Sequence, residues 1–161
     1  MPTNAEQPVS ISKPKTVTLR AFEIKNTALS KSSSEAKADL IARLSQVKQA
    51  KDRCMLLNPE DPKQERDVLS YFKESPVTDS VFCTMLRITS DKEIQHITDS
   101  LFEKEVFSLD DIETSHLDVS AICKGHYYFC MSDDFLVTNL PLNKTIVRLQ
   151  TYLSWFTNNE L

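Results

Sequence analysis

A single glycine, Gly125, stands in a chain of 161 residues, where average usage of about 7% would supply roughly 11. Phosphate-cradling loops, dinucleotide-binding turns and nucleophile elbows all need glycine, because their backbones reach positive φ or approach a ligand closely. None of these can be built here. Turns must be made by Asn, Asp, Ser and Pro instead, which leaves helices and strands to carry most of the chain. With 40% apolar residues, the sequence reads as an α+β protein and excludes more functions than it names.

Residues 1–15 (MPTNAEQPVSISKPK) hold three prolines and no apolar period, the composition of a mobile arm. A single domain is expected over 16–161, a length that one core serves, and it could be the front part of a longer protein. No apolar run reaches the roughly 18 to 20 residues of a membrane span, and the first residues lack the hydrophobic stretch of a secretory signal. A cytoplasmic chain is therefore expected, with no membrane partner. Cys54, Cys83, Cys123 and Cys130 sit in apolar segments with neither a C-x-x-C pair nor a His-Cys cluster. They read as reduced, buried thiols, and neither a metal nor a cofactor is expected.

Along the chain, residues 16–25 (TVTLRAFEIK) read as a strand whose apolar phase slips, as at a bulge. Ser32 and Glu35 make a capping box for a helix to about residue 51, with the stripe Leu40, Ile41, Leu44 and Val47. Residues 54–57 form a short strand, and Asp61-Pro62 opens a helix carrying Val68, Leu69 and Phe72. Residues 80–89 (SVFCTMLRIT) are the clearest strand and belong in the middle of a sheet. Ser90 and Glu93 box a further helix, and residues 109–115 form an acidic connector. Residues 117–138 then read as a three-stranded meander with turns at Lys124-Gly125 and at Ser132-Asp133-Asp134. Pro141 breaks it, and Ile146, Leu149, Leu153 and Phe156 line a final helix. This order predicts an α+β domain with a mixed sheet of about five to six strands and helices mainly on one face.

Few residue patterns suggest catalysis. Glu23-Ile24-Lys25 puts an acid and a lysine on one strand face, as metal-dependent nucleases do, yet no aspartate-bearing strand precedes it. His116, His126 and Glu113 would meet only if the meander brought them together, and His96 reads as a helix boundary residue. Asp110-Asp111 and Asp133-Asp134 lack calcium-loop spacing. A metal-dependent nuclease is the last alternative, and the chain is expected not to be an enzyme.

Binding is better supported. Net charge is −4, but residues 1–55 balance at +5 and the remainder at −9. Lys13, Lys15, Arg20, Lys25, Lys37, Arg43, Lys48, Lys51 and Arg53 form a basic front that could follow a phosphate backbone, unless folding brings the two halves together. Aromatic residues gather in the last third, and Tyr128, Tyr152 and Trp155 are the candidates for a partner-binding surface.

The segment 126–156 (HYYFCMSDDFLVTNLPLNKTIVRLQTYLSWF) runs as an aromatic strand, an Asp turn, a short strand and a helix. With the opening strand TVTLRAFEIKN, it resembles in layout the amino-terminal modules of bacterial phage-exclusion and abortive-infection proteins. The resemblance implies a module of a mobile-element or defence system that binds nucleic acid or a partner subunit. The expected function is a non-catalytic interaction module or complex subunit that self-associates or binds another protein, with nucleic-acid binding through the basic front as the alternative.

Overall fold

The computed structural model of this chain describes residues 16–24, 33–60, 65–89, 100–114, 123–140 and 146–158. Six strands occupy Arg20–Glu23 (β1), Cys54–Leu56 (β2), Arg66–Ser75 (β3), Ser80–Ile88 (β4), Cys123–Met131 (β5) and Phe135–Thr138 (β6). They form one sheet in the order β1-β6-β5-β4-β3-β2. Helices occupy Ser33–Gln46 (α1), Leu109–Thr114 (α2) and Ile146–Asn158 (α3), with a 3-10 turn at Ala50–Arg53. The fold is α+β.

Every neighbouring pair in the sheet is antiparallel, so the expected parallel crossovers are absent among the described residues. The reason lies in β3, which was expected to be a helix. Its register slips between Leu69 and Tyr71, where Ser70 is the extra residue of a bulge. The slip puts Leu69 and Phe72 on the same face three residues apart, a spacing that imitates a helical period. Val68 faces the other way and is buried as well, which erases the alternation expected of a strand.

With one glycine available, the hairpins use other residues. Between β3 and β4 the turn closes at Ser75 opposite Ser80, and Asp79 takes φ 44°, the one positive φ among the described residues. Aspartate is among the few residues that tolerate this region. Between β5 and β6, Ser132 N–H donates to Phe135 O at 2.9 Å, as the Asp133-Asp134 turn predicted. Gly125 is not a turn residue. It lies inside β5 opposite Arg87 with negative φ, so the hairpin expected at Lys124-Gly125 is replaced by strand, with a register slip that leaves Lys124 as the extra residue.

The acidic connector is helix α2. Ser108 caps it: the Ser108 N–H and hydroxyl both donate to Asp111 Oδ2, at 2.8 and 2.9 Å. The sequence Ser-Leu-Asp-Asp is itself a capping box. The helix expected from Ser90 and the strand expected over 117–122 lie largely outside the described residues.

Helices α1 and α3 lie together on one face of the sheet. There Leu40, Leu44, Leu149, Tyr152 and Phe156 bury against Leu69, Val81, Cys83, Met85 and Phe129. The opposite face carries a smaller cluster at one end, where Leu101, Phe102, Phe107 and Ile112 cover Val68, Leu86 and Ile88. Strand β4 sits between β3 and β5 and is buried on both faces along most of its length, as its sequence predicted.

Candidate interaction surface

On the face away from α1 and α3, the cover stops partway along the strands. Phe107 N–H donates to Ser70 O at 2.8 Å, which docks the covering segment at the β3 bulge. Beyond that level the register sets Phe82 of β4 opposite Lys73 of β3 and Cys130 of β5, and Thr84 opposite Tyr71 and Tyr128. His126 lies opposite Leu86. The row continues outward, with Cys130 opposite Val137, Val137 opposite Ala21, and Phe135 opposite Glu23.

The rings on this face touch one another. Phe82 and Tyr128 stack with centroids 5.7 Å apart, Tyr71 meets Phe82 edge-on at 6.5 Å, and His126 meets Tyr128 edge-on at 5.7 Å. Thr84, between Tyr71 and Tyr128 in the register, is buried. Tyr71 and Tyr128 are half-buried, whereas Phe82 is 38% exposed and Phe135, on the outer strand of the same face, 49%. The result is an aromatic surface rimmed by the exposed Lys73, His126 and Glu23. Such a surface offers apolar area and ring faces to a ligand.

Of the three residues expected to bind a partner, only Tyr128 belongs to this surface. Tyr152 is fully buried; its hydroxyl donates to Arg53 O at 2.5 Å and accepts the Leu69 N–H at 3.2 Å. Burial drives its phenol well above the ordinary range. Trp155 is half-buried, tilted against Tyr152 at 5.5 Å. The C-terminal helix therefore does not present these rings together: α3 turns Tyr152 inward at the centre of its stripe, between Leu149 and Phe156.

The basic front is dispersed in the same way. Lys13, Lys15 and Lys25 lie outside the described residues. Lys37 is buried and clasps two hairpin turns, with its Nζ 2.8 Å from Asp79 Oδ1 and 2.9 Å from Asp133 Oδ1. Arg43 is buried, donating from Nε to Phe156 O at 3.1 Å. The wholly buried Arg53 donates to Leu69 O, Val47 O and Glu105 O, and its guanidinium lies over the ring of Phe72. Arg20 is half-buried, whereas Lys48 and Lys51 are exposed, and Lys48 stands 3.8 Å from Glu105. Basic and acidic halves of the sequence thus meet in space at Lys37 and Lys48.

A polar cluster sits on the helix-covered face. Asp67, 2% exposed, receives Arg148 Nε at 2.5 Å and Nη2 at 2.6 Å, and Arg87 Nε lies 3.8 Å away. Burial raises the Asp67 carboxyl above its ordinary value, against the opposing effect of Arg148. Tyr127 Oη is the one buried side-chain polar atom without a hydrogen-bond partner among the described residues, and burial, with Asp67 as a lesser cause, raises its phenol. This cluster pins α3 to β3.

Several of the catalytic candidates lie outside the described residues. Glu23 is exposed on β1, its proposed partner Lys25 lies outside the described residues, and so do His96 and His116. Among the described residues no three His, Cys, Asp or Glu side chains gather as a metal group, all four cysteines are free, and no helix is long and apolar enough to cross a membrane. No protein-family model, curated protein or solved structure matches this chain.

Proposed function

We propose that this chain is a non-catalytic interaction module, a subunit that binds another protein through the open aromatic face of its sheet. The observation that carries the reading is the row of the exposed Phe82 and Phe135 with the half-buried Tyr71 and Tyr128, which no described element covers, on a sheet whose other face is packed by two helices. Exposed aromatic residues in a contiguous patch are the composition of interface centres. The rim mixes Lys73 with Glu23, and three of the basic residues that a phosphate backbone would need are turned inward, which favours a protein over a polyanion. The layout shared with phage-exclusion modules adds that a role within a bacterial defence or mobile-element assembly accords with such a subunit.

A photo-crosslinking amino acid at Phe82 or Phe135, compared with one at the exposed hairpin tip residue Val77, tests this in the cells that express the chain. A discrete cross-linked partner at the first two positions and not at Val77 is expected. The same pattern at all three positions, or none at any, removes the reading.

A second reading rests on the Phe82–Tyr128 stack with Lys73 opposite Phe82, because flat rings beside a lysine can stack unpaired bases. Binding of a single-stranded oligonucleotide that falls steeply with salt and is lost in Phe82→Ser would support it. No binding at low salt removes it.

A further inference from the structure

We infer that two copies of this chain pair antiparallel through β1, extending the two sheets into one. Among the described residues strand β1 ends the sheet, with β6 on one side only. Ile24 N–H donates to Asp134 O at 2.9 Å, and the β1–β6 register continues in step from that pair. Arg20 and Phe22, in phase with Ile24, therefore exchange backbone bonds with β6, and Ala21, out of phase, turns its N–H and C=O toward the open edge. Natural edges are commonly blunted by shortness, by charged side chains, by Pro or by a bulge; β1 is short and carries Arg20 and Glu23, but Pro and a bulge are absent from it. Arg20 shares its face with Phe22, on the side packed by the helices, which turns its charge away from the open edge's Ala21.

Exposed apolar residues gather at the same edge. Leu19 is 63% and Val17 57% exposed, in phase with Ala21, and Phe135 lies on the adjoining strand. A strand added beside β1 would cover them while pairing the Ala21 backbone.

A second copy fits this edge. A two-fold axis through Ala21 and perpendicular to the sheet sets the smallest side chain of β1 against itself. It places Arg20 beside the second copy's Phe22 and Leu19 beside its Glu23, so that neither Arg20 nor Glu23 opposes its own kind. The contact is isologous and closes at a dimer rather than growing into a filament. Because the axis preserves the faces, both aromatic surfaces lie on one side of the joined sheet.

Sedimentation velocity on the full chain over a concentration series tests the pairing, with Ala21→Pro and Leu19→Lys as variants. Proline at 21 removes only a donor that β6 does not use, which an edge strand tolerates. Leu19→Lys lies ahead of the strand and serves if the proline variant does not fold. The wild type is expected at about twice 18.4 kDa with a thermal transition that rises with concentration, and each folded variant at the single-chain mass with a cooperative transition that no longer depends on concentration. A single-chain mass for the wild type at every concentration overturns the proposal. So does a dimer that survives both variants, or one lost in Phe82→Ser but kept in Ala21→Pro, which would place the contact on the sheet face.

Discussion

The ring of Phe82 lies on that of Tyr128 with 22° between their planes, although the residue directly opposite Phe82 is Cys130. The stack is thus a diagonal cross-strand pair, a geometry within reach of aromatic side chains. Among the described residues no element covers the outer side of this stack.

Phe82→Ser is expected to separate binding from folding. Phe82 is more than a third exposed and contributes to neither buried cluster, so the loss of stability should stay within about 1 to 2 kcal/mol. Partner affinity should fall by about 2 kcal/mol or more, as for truncation of an interface anchor. Chemical denaturation and a binding titration measured on the same preparation check the two numbers. Equal losses in both would make Phe82 a packing residue only.

Much of the fold was legible in the sequence, and the misreadings share a physical cause. Strand β4 and helices α1 and α3 announce themselves because their periods are uninterrupted. Strand β3 does not, since one bulge residue, Ser70, converts a period of two into an apparent period near three and a half. The same slip hid Tyr71 from the aromatic face. Phe82 could have been found from the alternation of Phe82 and Thr84 against Val81, Cys83 and Met85. Tyr152 was expected outside because aromatic rings in α3 outnumber what one stripe covers, yet the backbone groups of Arg53 and Leu69 supply the polar partners its hydroxyl needs in the core. Charge counting failed for a related reason: Lys37 and Arg53 lie in a basic stretch of sequence, but their partners come from Asp79, Asp133 and backbone carbonyls far along the chain.

Tyr152→Phe keeps the ring and removes only the hydroxyl. Leu69 N–H and Arg53 O then lose this hydroxyl as a partner in the core, and a loss of about 1 to 3 kcal/mol is expected. Solution mass should not change. An oligomeric state altered by this substitution, with stability intact, would return Tyr152 to the role of a contact residue.

Asp111 and Lys37 set opposite pH dependences. The Ser108 N–H, and after it Lys104 and the Ser108 hydroxyl, hold the Asp111 carboxyl below its ordinary value of 3.8. Its stabilisation is therefore complete above that value and fades as pH falls through the lower folded-state value. Asp111→Asn should cost about 0.5 to 1 kcal/mol at neutral pH and progressively less on acidification. Lys37 is raised above 10.5, by Asp79 first and then Asp133, so its contribution is present below 10.5 and fades as pH rises through the folded-state value. Denaturation of wild type, Asp111→Asn and Lys37→Met across pH would show the first difference closing at the acid end and the second at the alkaline end.

Gly125 is the single glycine of the chain. It sits inside a strand with negative φ, where its freedom serves no turn, and a methyl group built on it meets no atom within 4 Å. Glycine in an element interior costs roughly 0.5 to 1 kcal/mol relative to alanine, mainly through the entropy of the unfolded chain. Gly125→Ala should therefore stabilise the protein by about that amount, raising the denaturation midpoint with the slope unchanged. Gly125→Val, which suits a strand better still, should do no worse. A destabilised Gly125→Ala variant that keeps its fold would mean that the bare backbone beside Lys124 is reserved for close approach of something outside the chain. That outcome would move the search for a partner to this end of β5, next to His126.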